Sequence, residues 1–168
     1  MSNHTEDKNH KKPSYLDFQI STYAWKPDID YKKYPEQYKV GKGEQGVLIC
    51  EPYKSEIGPL WRFKNPVIAQ ESAEKIFELF KEYLSKNDFV GADLARKYLQ
   101  MGYTRARRYA NYKGGKKYDK DKDYAPLDRG TGTDEKAAAA AIFYGFWKRA
   151  EGFEDYQQRK LEWKKRLG

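Results

Sequence analysis

The sequence predicts an α+β domain: a small, mostly antiparallel sheet in the N-terminal third, followed by a unit of four to five helices. Three observations carry that expectation. Apolar residues alternate with a period of two over Tyr15–Trp25, fall in two short segments up to residue 64, and recur at helical spacing after it. A length of 168 residues is one domain's worth of chain, with enough material for a core. The hydrophobic fraction of 39% is low and the charged fraction of 35% is high, but 15 Tyr, 8 Phe and 4 Trp argue against disorder.

The elements follow in order. Met1–Ser14 reads as a flexible tail, leaving residues 15–168 as a single α+β domain. From Tyr15 to Trp25, Leu16, Phe18, Ile20 and Thr22 share one face at a period of two, the mark of a strand. Pro27 and Pro35 break Lys26–Tyr38 into a loop with one helical turn. Gln45–Tyr53 and Ile57–Lys64 are short apolar segments separated by Lys54-Ser55-Glu56, which predicts a hairpin whose second strand is an edge because of Gly58-Pro59.

Helices come next. Asn65 is a good N-cap and Pro66 suits the first helical position. Ala69, Ala73, Ile76, Phe77, Phe80 and Leu84 then line one face, and Asn87-Asp88 ends the helix. A second helix is expected from about Phe89 to Met101, a break at Gly102, and a third from Thr104 through Tyr112. Gly114-Gly115 opens a polar loop to Thr133. Asp134 caps an alanine-rich helix to Glu151, with Ile142, Phe143, Phe146 and Trp147 as its apolar stripe. Gly152 separates it from a last amphipathic helix holding Tyr156, Leu161 and Trp163.

Charge distribution is the main functional clue. The net charge is +8, and eight cations fall between Leu94 and Tyr118 with no Asp or Glu among them, so the rest of the chain is neutral. Arg96, Arg105, Arg107, Arg108, Lys113, Lys116 and Lys117, with Tyr103, Tyr109, Asn111 and Tyr112, form a candidate nucleic-acid surface. Guanidinium groups fork onto phosphates, and interleaved tyrosines stack on bases. DNA or RNA is the expected partner, held chiefly by its backbone. An acidic protein partner is the alternative reading of the same face. Gly102 between two helices also raises a helix-turn-helix, although Arg107 and Arg108 leave few apolar residues for its inner side.

Gly41-Lys42-Gly43-Glu44-Gln45-Gly46 matches G-x-G-x-x-G, but it precedes an apolar segment where a dinucleotide fold needs it to follow a strand and open a helix. It makes a tight turn, with Gly41, Lys42, Gly43 and Gly46 as candidate phosphate contacts. Together with the Arg cluster it keeps open a small enzyme acting on a nucleotide or other phosphorylated substrate. No catalytic signature supports one directly. The only histidines, His4 and His10, lie in the tail, and one cysteine cannot build a zinc site. No metal or cofactor is implied. Cys50, within Val47-Leu48-Ile49-Cys50, reads as a buried thiol. No apolar run reaches the length of a membrane span and no signal-type stretch opens the chain, so a cytoplasmic location is expected.

At Trp61-Arg62-Phe63-Lys64, and more closely from Gln100 through Gly102, Tyr103 and Arg105 to Asn111, the chain resembles a family of small uncharacterised proteins of bacteria, fungi and large phages. The Gly41–Gly46 turn belongs to the same pattern. The family is a domain of unknown function, so the resemblance implies a small intracellular protein and brings no activity or site residue with it.

Overall fold

Asn65 starts the first long helix as its sequence requires. Its Oδ1 accepts from the Ile68 N–H at 2.9 Å, and Pro66 follows in the first helical position. The computed structural model describes residues 25–41, 45–111, 118–119, 125–126 and 134–168. Among them the α-helices are α1 (Tyr53–Ile57), α2 (Pro66–Ser85), α3 (Phe89–Asn111), α4 (Asp134–Glu151) and α5 (Glu154–Leu167). Helices α2, α3 and α4 pack on one another, and α5 lies against α3 and α4. None of the described helices is long and apolar enough to cross a membrane.

The α+β expectation is overturned. Among the described residues the architecture is all-α, and the expected hairpin is wound into a 3-10 turn (Gln45–Ile49), α1, and a second 3-10 turn (Gly58–Leu60). The reason is the spacing of the residues that are buried. Val47, Cys50, Tyr53 and Ile57 are all buried, and steps of three and four residues suit a helical path, not an alternating one. Among the described residues, the pairing of Tyr118–Asp119 antiparallel to Ala125–Pro126 and the isolated bridge between Asp30 and Glu51 are too short to form a layer. The tail and the expected strand up to residue 24 lie outside the described residues. The helical turn expected in the Lys26–Tyr38 loop is present as a 3-10 turn at Pro35–Gln37.

The break at Gly102 is also corrected: α3 runs through it without interruption, which removes the helix-turn-helix reading. Gly102 is where α4 lies closest. A Cβ there would sit 2.3 Å from Cδ1 of Phe143, and Ala106, Ala139 and Ala140 are buried beside it. Truncating Phe143 to Ala would cost about 3–5 kcal/mol through the cavity left behind. At the other end of α3, Asn87 adopts φ 59° and Asp88 Oδ1 accepts the Gly91 N–H at 2.9 Å, so one short turn ends α2 and caps α3.

Every residue from Phe89 to Leu99 is buried, so the first half of α3 is the central helix of the fold. Aromatic rings fill the space around it. Phe80 meets Phe153 at 5.4 Å and Tyr156 at 5.5 Å, and Phe89 meets Trp163 at 5.0 Å. Trp163 Nε1 donates to the Tyr38 carbonyl at 2.8 Å, which ties α5 to the N-terminal segment. Leu161, expected on the inner face of α5, is exposed; Tyr156 and Trp163 face inward without it.

Candidate functional site

Beyond Leu99, α3 emerges from the core, and its second half carries Arg105, Arg107, Arg108 and Tyr109 towards the surface. Arg105 and Tyr109, one turn apart, meet the extended segment Trp61–Lys64, which the Ser72 hydroxyl holds by accepting the Arg62 N–H at 2.9 Å. The Arg105 guanidinium lies 5.3 Å from the Trp61 ring, Trp61 meets Phe63 at 5.2 Å, and Phe63 meets Tyr109 at 6.1 Å. Lys136 of α4 completes the row. Its ammonium sits 5.7 Å from the Phe63 ring and 5.6 Å from the Tyr109 ring, and it donates to the Phe63 carbonyl at 3.1 Å.

Three rings thus run between two cations along one strip, flanked by the exposed Arg62, Lys64 and Arg107. Burial, with repulsion from Lys64, holds the Lys136 ammonium below the ordinary lysine range against the opposing pull of Glu135. Among the described residues no carboxylate pairs with Arg105 or Arg107. Rings with cations beside them are equipped to stack on flat π systems and to meet phosphates.

The sequence-predicted set is divided between several places. Tyr103 packs on Tyr144 at 5.2 Å and Trp147 at 5.7 Å, away from the strip. Arg96, expected on the surface, is buried. Its Nη2 donates to Asp93 Oδ1 at 3.0 Å, Nε to the Tyr156 hydroxyl at 2.8 Å, and Nη1 to Gln100 Oε1 at 2.8 Å. The hydroxyls of Tyr38 and Tyr156 both donate to Asp93, the latter at 2.6 Å. Burial opposes ionisation of Asp93, but Arg96 and Lys97 outweigh it and hold the carboxyl below its ordinary range. Burial and Asp93 together push the Tyr38 and Tyr156 hydroxyls up.

Lys97, next to Arg96, is buried too and donates to the Gly41 carbonyl at 2.6 Å, with the Trp25 ring 5.2 Å away. Gly41 itself packs on Trp25, where a Cβ would stand 3.0 Å from the indole ring. Lys42, Gly43, Tyr112, Lys113, Lys116 and Lys117 lie outside the described residues, as do the side chain of Asn111 and the surroundings of Gly46. Cys50 is buried as expected, and burial pushes its thiol up to about 12. No cluster of side chains suited to a metal ion occurs among the described residues.

Residues 22–166 match the family model of a domain of unknown function, DUF4385. The chain belongs to the DUF4385 family. No curated protein and no solved structure matches it. The DUF4385 match takes in α1 to α4 and all but the last residue of α5, so the strip and the Asp93–Arg96 centre both fall within the family domain. The sequence reading missed Trp61, Phe63 and Lys136 as members of the strip. The alternation Trp61-Arg62-Phe63-Lys64, ring and cation in turn, was the available signal for the first two.

Proposed function

We propose that this DUF4385 protein binds nucleic acid along the α3 strip, with Arg105, Arg107, Arg108 and Lys136 meeting phosphates and Tyr109, Trp61 and Phe63 offering rings to bases. The observation that carries the reading is the row Arg105–Trp61–Phe63–Tyr109–Lys136, in which each ring has a cation or another ring beside it. Single strands suit it better than duplexes, because only unpaired bases expose faces for stacking. Backbone contacts position the strand without reading its sequence, so specificity is modest. The cytosol, where a free thiol such as Cys50 stays reduced, is the setting this reading implies.

The test is a salt titration of binding to labelled single- and double-stranded DNA and RNA. The native protein is compared with Arg105→Ala/Arg107→Ala/Arg108→Ala and with Tyr109→Ala. Affinity should fall with a log–log slope of about −0.7 per phosphate neutralised on a single strand, and the triple variant should lose both affinity and slope. Tyr109→Ala should weaken single-strand binding by about 1–3 kcal/mol and leave the slope intact. Binding indifferent to salt, or unchanged in the triple variant, would overturn the reading and point to an acidic protein partner.

A further inference from the structure

A second cationic site lies on other residues. Between α3, α5 and residues Val40, Gly41 and Val47, the fold leaves a cavity of about 410 Å³. Arg96, Lys97, Lys160 and Lys164 line it, and among the described residues Glu151 is the one carboxylate on its wall. Its size falls in the usual range for small-molecule sites. Its lining does not, because four cations around one cavity repel one another until an anion enters.

The local charges leave an excess. Asp93 lies behind the wall and is already engaged by Arg96, Tyr38 and Tyr156. Glu151 stands 3.9 Å from Arg96 and is shared with Lys148 at 3.4 Å. Among the described residues, these two carboxylates do not balance Arg96, Lys97, Lys148, Lys160 and Lys164, so the cavity keeps a positive excess suited to a multiply charged anion.

The donors are held in place before any ligand arrives. Arg96 has five N–H groups, of which Asp93, Tyr156 and Gln100 take three, and the side chain is fixed by them. Lys97 has three, of which the Gly41 carbonyl takes one. A buried ammonium hydrogen-bonded to a neutral carbonyl, with Asp93 shared between it and Arg96, is costly to keep, and the fold keeps it facing a cavity. Burial depresses the Lys97 ammonium, and the charges of Arg96 and Lys160 add to it against the opposing pull of Asp93. Lys160 is held down in the same way, first by its own burial and then by Arg96.

We propose that this cavity binds the phosphomonoester dianion of a small phosphorylated molecule, with Lys97, Lys160 and Lys164 neutralising it and the fixed Arg96 guanidinium orienting it. Trp147, also on the wall, offers an indole ring to the rest of the ligand. The site is independent of the α3 strip and does not need nucleic acid to bind there. The same phosphomonoester chemistry occurs free, as in a nucleoside monophosphate or sugar phosphate, and at the 5′ end of a nucleic-acid strand.

The experiment is calorimetric titration and thermal melting of the full chain with inorganic phosphate, AMP and glucose 6-phosphate. A short oligonucleotide with and without a 5′-phosphate, and succinate as a non-phosphate dianion, complete the set. Native protein should bind at least one phosphate probe and melt higher in its presence. Lys160→Ala/Lys164→Ala, whose changes lie on the outer wall and spare the buried centre, should weaken that binding by roughly tenfold or more. Arg105→Ala/Arg107→Ala/Arg108→Ala should leave it unchanged, which separates this site from the strip. A free monophosphate binding as well as the 5′-phosphorylated strand identifies a metabolite as the ligand; preference for the strand end identifies a terminal phosphate. No binding of any phosphate probe at concentrations up to about 10 mM would overturn the proposal. So would equal binding by the Lys160/Lys164 double variant, or succinate binding as tightly as phosphate.

Discussion

The two halves of α3 hold the same kind of residue in opposite circumstances. From Phe89 to Leu99 the helix is buried on every side, and its cations Arg96 and Lys97 are held by Asp93, the Tyr156 hydroxyl and a backbone carbonyl. From Tyr103 onwards the helix is half out of the core, and Arg105 is held by the face of Trp61 with no carboxylate paired to it among the described residues. A run of positive charge in a sequence is therefore two things at once here. One part is the electrostatics of a buried centre, where low dielectric magnifies every pairing. The other is a surface field that salt can screen.

The sharpest way to break this comparison is at Asp93. Asp93→Asn strips the buried half of its counter-charge and leaves Arg96 and Lys97 uncompensated, so about 3–5 kcal/mol of stability should be lost, read from denaturant midpoints. A loss below about 1 kcal/mol would mean that the two cations are far better hydrated than their burial implies. Gly102→Ala comes next. The added methyl meets the Phe143 ring, and the resulting overpacking should cost about 1–3 kcal/mol.

Lys97→Met acts in the other direction. Lys97 faces Asp93 and Arg96 on its own helix, Lys160 on α5, and Cys50, Gly41 and Trp25 on the N-terminal segment. Its ammonium is lowered to about 8 from 10.5, so between those values the unfolded chain holds a proton that the folded chain has released. Stability contributed by this group therefore rises as pH climbs through that window, and the full penalty is present below it. Lys97→Met removes the penalty and should stabilise the unliganded protein at pH 7 by on the order of 2 kcal/mol, an advantage that fades towards pH 10.5. A difference that stays flat with pH would show that Lys97 carries no such strain.

The smallest stability effect is expected at the surface. Arg105→Ala/Arg107→Ala/Arg108→Ala should shift stability by about 1 kcal/mol or less while removing nucleic-acid affinity. A large stability loss in that variant would erase the distinction between the two halves.

Helices α2, α4 and α5 were legible because their signals are local. Asn65 caps within three residues, Asp134 opens an alanine-rich run, and Gly152 separates two amphipathic patterns. The expected hairpin failed because Val47, Leu48 and Ile49 favour strands by composition while the buried positions follow a helical path that only the packing reveals. Gly102 misled for a related reason. Its missing side chain makes room for Phe143 of another helix, 41 positions on, and does not serve a turn. The charged stretch was visible, but the fate of Arg96 was not, since Tyr38 and Tyr156 reach Asp93 across 55 and 63 residues of chain. Trp61 and Phe63 were read as core, and half of that holds: they pack inward and still form the rim of the strip.

Those long reaches bear on how the protein is made. Tyr156 and Trp163 belong to α5, which leaves the ribosome after every other helix of the fold. Until it arrives, the nascent chain holds Asp93 without one of its two hydroxyl donors and Tyr38 without the indole that fastens it. Translation must therefore run through α5 before the polar centre can close. A product stopped at Gly152 would leave that centre open to water and to proteases, so the clasp at Trp163 also separates chains that carry α5 from chains cut short before it.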